Sequence, residues 1–227
     1  MTVLHLADEG EAADLAAFLS RLLHYDRGAA VRLQAAGTAL AVFGRPPSFE
    51  VLAIRAVRLA KPYENGLDVT LDVTVSAGEL LESVDETAAT AAVPGAVTGP
   101  PWAGVLPPRG GWRPEAGLPA PDALRAMVGA AVAEFRRRTE ELAPERRTRA
   151  ELDRIGREIW SRTVGDTGLP VRAVHAAQSL GFLRPTAAAP QDAGLFSSGA
   201  WLRLRTAYGS IAVRRGTGLG GLDLSVR

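Results

Sequence analysis

The sequence contains no cysteine, which excludes disulfides, thiolate metal sites and cysteine nucleophiles. It has a single lysine, Lys61, so nearly all of its basic charge is arginine. With the abundant alanine, that bias reflects GC-rich coding rather than selection for phosphate binding. The three histidines, His5, His24 and His175, stand at no metal-ligand spacing. No G-x-S-x-G elbow surrounds Ser20, Ser161 or any other serine. No apolar run is long enough to cross a bilayer. The opening MTVLHLADEGEAADL places acids where a signal peptide needs a basic start and an apolar stretch. These absences predict a cytoplasmic protein with no membrane partner, no cofactor and no metal, and give no catalytic residue.

What is present is ordinary in bulk. The 227 residues are 47% hydrophobic and 22% charged, enough chain for one large domain or two small ones. The net charge of +1 is unevenly spread: residues 1–120 carry five more acids than bases, and residues 121–215 six more bases than acids. Two readings follow. A basic half can meet nucleic acid, or opposite charges can dock the two halves.

Periodicity orders the chain. Residues 9–25 set Leu15, Phe18, Leu19, Leu22 and Leu23 on one helical stripe. Four strand-like runs follow: AAVRL, TALAVF, SFEVLAIRAVRL and LDVTLDVTV. The last alternates throughout, and Asn65-Gly66 before it suits a tight hairpin turn. Ser76 and Glu79 then form an S-x-x-E cap ahead of a helix. Residues 87–120 are rich in alanine, proline and glycine, yet carry Trp102 and Trp112. A flexible linker has no use for that much apolar surface, so an ordered strap is predicted. Helices are expected from Pro121, from near Pro144 and from Pro170 to Gly181, and WLRLRTAYGSIAVRR reads as a hairpin.

The expectation is therefore an α+β protein. Residues 1–86 form a helix plus a four-stranded, mostly antiparallel sheet, and 87–120 form the strap. Residues 121–215 form a helical domain ending in a hairpin, winged-helix-like, and 216–227 a glycine-rich tail.

That C-terminal outline supplies the leading functional reading, a non-enzymatic binding or regulatory protein whose basic half contacts DNA. The third helix would offer Arg172, His175 and Ser179 to a groove, while Arg203, Arg205, Arg214 and Arg215 of the hairpin would meet the backbone. Against it, VGDTGLP is long for a helix-turn-helix corner. The alternative is a protein-interaction or self-association module anchored by Trp102 and Trp112; an enzyme with a cleft between the halves is a third. Asp68 and Asp72 share a strand face, but with Thr70 and Thr74 around them they read as a solvated surface rather than a cation site. GTGLGG at 216–221 lacks the following helix that a phosphate cradle needs.

The strings RLLHYDRGAAVRL, PPRGGW, RAVHAAQSLGFL and YGSIAVRR together resemble a family of uncharacterised two-part proteins from high-GC actinobacteria, over most of the chain. The resemblance implies a two-part layout and a bacterial cytoplasm. It implies no activity and no site.

Overall fold

The computed structural model describes residues 2–47, 49–60, 71–185 and 193–215. The predicted turn at Asn65-Gly66, the start of the fourth strand-like run with Asp68 and Thr70, and the tail from residue 216 lie outside the described residues.

After a short strand, β1 (Val3–His5), helix α1 (Glu9–Tyr25) starts where Asp8 accepts a hydrogen bond from the Glu11 amide at 2.9 Å. Its stripe of Leu15, Phe18, Leu19 and Leu22 is fully buried. Strands β2 (Ala30–Ala36), β3 (Ala39–Gly44), β4 (Leu52–Arg58) and β5 (Leu71–Ser76) follow. Ser76 then caps α2 (Ala77–Glu82) by accepting from the Glu79 amide. Strands β6 (Val84–Asp85) and β7 (Thr90–Ala92) join β1 in a small three-stranded sheet. After β8 (Arg113–Glu115) come the helices α3 (Pro121–Glu140), α4 (Arg149–Trp160) and α5 (Val171–Ser179), then β9 (Gly194–Ser198), β10 (Trp201–Thr206) and β11 (Gly209–Arg214).

The main sheet corrects the four-stranded expectation. It has eight strands, antiparallel throughout, in the order β5-β2-β3-β4-β11-β10-β9-β8. The seam is the pairing of β11 with β4, in the register Ser210 to Ile54, Ile211 to Ala53 and Ala212 to Leu52. The C-terminal hairpin is therefore an interior part of one sheet and not a projecting wing. Gly209 to Val213 are all buried, because β11 has neighbours on both edges and cover on both faces.

Helices back one face. α1 packs on β4 and α5 on β11, with α3 and α4 packed on α5. The resulting core is continuous: Leu19, Leu33 and Val57 belong to the same buried cluster as Val174, Leu204 and Ile211. Each such side chain contributes about 1.5–3 kcal/mol on burial, so the seam is held by the same apolar forces as either half.

The end of α5 shows how tightly that face is packed. The Phe182 amide reaches the Ala177 carbonyl at 2.8 Å and the Gly181 amide the Gln178 carbonyl at 3.0 Å, with Gly181 at φ 77°. This is the Schellman arrangement, and only glycine adopts its left-handed residue without strain. It folds Phe182 back to stack on Phe18 at 5.8 Å. The ring then lies so close to β11 that a Cβ on Gly209 would come within 2.6 Å of it.

The other face carries the strap. The Val97 amide donates to the Thr74 carbonyl at the β5 edge, and a 3-10 turn follows at Pro101–Gly104. Trp102 and Leu106 settle on Phe43, Leu52, Ile54 and Ala212, after which β8 pairs with β9 at the opposite edge. The connection thus crosses the whole sheet. Arg32 fastens it, donating to the Ala103 carbonyl while its other nitrogens hold Asp72 at 2.8 and 3.0 Å. Asp72 also accepts from Gln34, so this carboxylate is fully engaged, and Arg32 holds it below its ordinary pKa. Among the described residues no helix is long and apolar enough to cross a membrane.

Candidate functional site

Antiparallel strands alternate their side chains between faces, and residues paired across the ladder share a face. Trp201 pairs with Arg214 and Arg203 with Ala212, so these four side chains belong with Leu52 on the strap face of the seam. At the end of the sheet where β3 and β11 finish and β4 and β10 begin, this face opens into a pocket of about 430 Å³. Trp102 of the strap and Trp201 of β10 form its aromatic walls, and Leu52, Val105 and Val213 line it further. Among the described residues Val105, at 46%, is the most exposed bulky apolar side chain.

Three arginines line the pocket: Arg45 after β3, Arg172 from the first turn of α5, and Arg214 at the end of β11. Arg214 lies 5.1 Å from the Trp201 ring centre, a cation–π contact that positions it without neutralising it. The Nε of Arg172 is shielded from solvent and has no hydrogen-bond partner, and the Glu50 carboxylate stands 3.8 Å from it, in ion-pair range only. Among the described residues neither Arg45 nor Arg214 has a carboxylate partner. Glu50 itself has φ 53°, a left-handed conformation unfavourable for a residue with a Cβ. Strain of that kind concentrates where a side chain must be held in a required place. No hydroxyl, thiol or imidazole is among the described residues lining the pocket.

Further along β10, Arg203 is half-buried, 5.6 Å from the centre of the ring of Trp112 in the strap. Its Nε lacks a hydrogen-bond partner, and no carboxylate pairs with it among the described residues. Burial, with added repulsion from Arg205, pushes this guanidinium below its ordinary pKa. Arg205, two residues on, is exposed on the same face.

The residues singled out in the sequence therefore divide. Trp102, Arg172 and Arg214 meet in the pocket, and Trp112, Arg203 and Arg205 continue from it along β10. Arg215 does not join them: it is paired with Glu115 at 2.7 Å. His175 is drawn away as well, its ring 4.7 Å from Trp160 in a stack and 5.1 Å from Phe49 edge-on. Ser179 ends α5 half-buried. Five of the nine residues of α5 are buried, against β11 and the other helices, so the helix presents no continuous face of Arg172, His175 and Ser179. On α3, on α4 and just after α4, Arg138, Arg154 and Arg162 are matched by Glu134, Glu151 and Glu158, which removes much of the basic excess read from composition.

Arg45, Glu50 and Trp201 are pocket residues that the sequence reading did not select. For Trp201 a signal existed, since it has the same parity in its strand as Arg203 and Arg205. For Arg45 and Glu50 there was none, because their place depends on the seam.

These features define an α+β protein with helices on one face of a continuous antiparallel sheet, a strap across the other, and an arginine- and tryptophan-lined pocket at the seam. Among the described residues no cluster suited to a metal ion occurs. Residues 1–104 match the model of a domain of unknown function (DUF8010) and residues 107–218 that of a second (DUF8185), so two adjacent family models together cover most of the chain. The two matches meet within the strap, beside Val105 and Leu106 of the pocket region. No curated protein matches the chain.

Proposed function

We propose that the chain is a non-enzymatic binding protein whose ligand occupies the seam pocket, and that the ligand is an organic anion with a flat, unsaturated body. The observation that carries this reading is the convergence of three arginines, two without a carboxylate partner among the described residues, on a cavity walled by two tryptophans. Each half of the ligand has its counterpart. The aromatic walls offer apolar and stacking surface to the flat body, and guanidinium groups take a carboxylate or phosphate through charge-assisted, two-pronged hydrogen bonds. A cavity of this volume suits a small molecule. Among the described residues lining the pocket there is no nucleophile and no pair of acid–base groups, which favours binding over turnover.

The test is calorimetric titration of the full chain with adenosine monophosphate and with naphthoate as flat anions, beside adenosine and inorganic phosphate as the separated parts. A flat anion is expected to bind, and each part alone to bind far more weakly. Arg214→Gln should weaken binding roughly tenfold or more, the value of a hydrogen bond to a charged group. No heat from either flat anion up to about 1 mM, an affinity of only some 4 kcal/mol, refutes the proposal.

A further inference from the structure

Resting on the pocket reading, we infer that the bound anion is polymeric: a short single strand of nucleic acid that starts in the seam pocket and runs along β10 over Arg203 and Arg205, with bases stacking on Trp201 and Trp112. The juxtaposition that carries this is a row of arginines on one sheet face with no carboxylate partner among the described residues, flanked by tryptophan rings.

Arg203 is the decisive residue. A guanidinium partly withdrawn from water without an acid beside it is unfavourable, and buried charges are as a rule paired. Among the described residues the Trp112 ring attends it and no carboxylate pairs with it, and its Nε has no partner. An anion at this position resolves that imbalance, and Arg205 beside it supplies a second contact open to solvent. Successive same-face residues on a strand lie about 6.8 Å apart, close to the phosphate repeat of an extended single strand. Every base has a π-face, so aromatic platforms beside a basic track bind single strands with little regard to sequence.

The track has a direction. Opposite β10, Trp102 and Arg45 border a second hollow of about 400 Å³ whose rim holds Asp26, Ser76 and Thr98 and no further arginine. With Asp26 offsetting Arg45 there, that hollow offers a polyanion less than the arginines along β10 do, so the strand leaves the pocket towards Arg205. A duplex does not fit this geometry, since stacking on the tryptophans requires unpaired bases.

The experiment is fluorescence anisotropy on the full chain with labelled deoxythymidine oligonucleotides of increasing length, and thymidine monophosphate as competitor. Affinity should rise with length from the mononucleotide to about four nucleotides and then level off, since five residues of β10 span roughly 14 Å. Arg203→Gln and Arg205→Gln should each weaken the longer oligonucleotide about tenfold and leave the mononucleotide unchanged. Each should also lower the salt dependence by about 0.7 per lost charge. Arg205 is exposed, so its replacement does not endanger folding. If the mononucleotide binds and longer oligonucleotides bind no better, the inference is overturned and the pocket reading stands. If neither the mononucleotide nor any oligonucleotide binds while naphthoate does, the inference again falls alone. If none of the three binds, both fall. Equal affinity for inorganic polyphosphate of matching charge overturns the role given to the bases.

Discussion

Replacing Arg55 by methionine should destabilise the protein by about 3 kcal/mol, because Arg55 ties both halves together from inside the core. It lies on β4 with 5% of its surface exposed. One terminal nitrogen reaches Glu11 at 2.9 Å and Asp14 at 3.2 Å, both on α1, and the other reaches the Tyr208 carbonyl in the β10–β11 turn at 2.8 Å. Arg184, arriving after α5, closes the ring by pairing with Asp14 while lying 3.7 Å above the Tyr208 ring. Removing one member of a buried ion pair costs roughly 3–5 kcal/mol, chiefly through the charge left behind. Glu11, only 8% exposed, would keep Arg58 at 2.8 Å as a partner, which places the expected loss at the low end of that range. Urea unfolding followed by circular dichroism should show a midpoint lowered by about 1 M with unchanged slope. Replacing Glu11 by leucine in the same molecule should restore part of the loss, since an apolar pair can substitute for a buried ionic one. A loss below about 1 kcal/mol for the single variant, or a double variant no better than the single, refutes this account of the ring.

Gly209→Ala should cost about 1–3 kcal/mol in the same assay by forcing a Cβ into the Phe182 ring, and Phe182→Leu should recover some of it; full stability of Gly209→Ala would mean that the ring moves freely. Burial lowers the pKa of His175, so its unfolded form binds a proton first, and stability should be complete above about pH 6.5 and decline as pH falls below it; His175→Phe should flatten that decline. Arg138 holds the Glu158 carboxyl at about 2 against an ordinary 4.5, so this exposed ion pair contributes above pH 4.5 and is lost as pH falls through about 2. Glu158→Gln should abolish that part of the acid limb, as should high salt. Glu50→Gln, by removing the carboxylate that faces Arg172, should tighten binding of a flat anion in the seam pocket; weaker binding would show that Glu50 contacts the ligand directly.

Local features of the fold were legible because they are set by neighbours in sequence. The stripe of Leu15, Phe18, Leu19 and Leu22 marked α1 to the residue, the Ser76 cap marked α2, and Gly181 marked the end of α5. Alternation in WLRLRT gave the hairpin and its faces. Strand neighbours were not legible: periodicity assigns a side chain to a face but not a strand to a partner. β11 is buried on both faces and so has no alternation to follow, and its pairing with β4 spans more than a hundred and fifty residues. β9 is only GLFSS, two apolar residues between glycine and serines, and β8 contains Pro114, tolerated because it lies on an edge. The site divided in the same way. Trp102, Arg172 and Arg214 were visible singly, as aromatic and basic residues in suggestive places. Their meeting was not, since the pocket exists only where the two halves of the sheet join.

That shared sheet has a practical consequence for anyone wishing to cut the chain where its two domains meet. Severing the strap near residue 105 leaves β4 on one fragment and β11 on the other, each a raw border of unsatisfied amides and carbonyls. Each piece on its own is a template for aggregation, yet the borders are each other's complement. Co-expressed, the two fragments should reassemble, so the molecule is a natural candidate for a split-protein reporter whose halves find one another by strand addition.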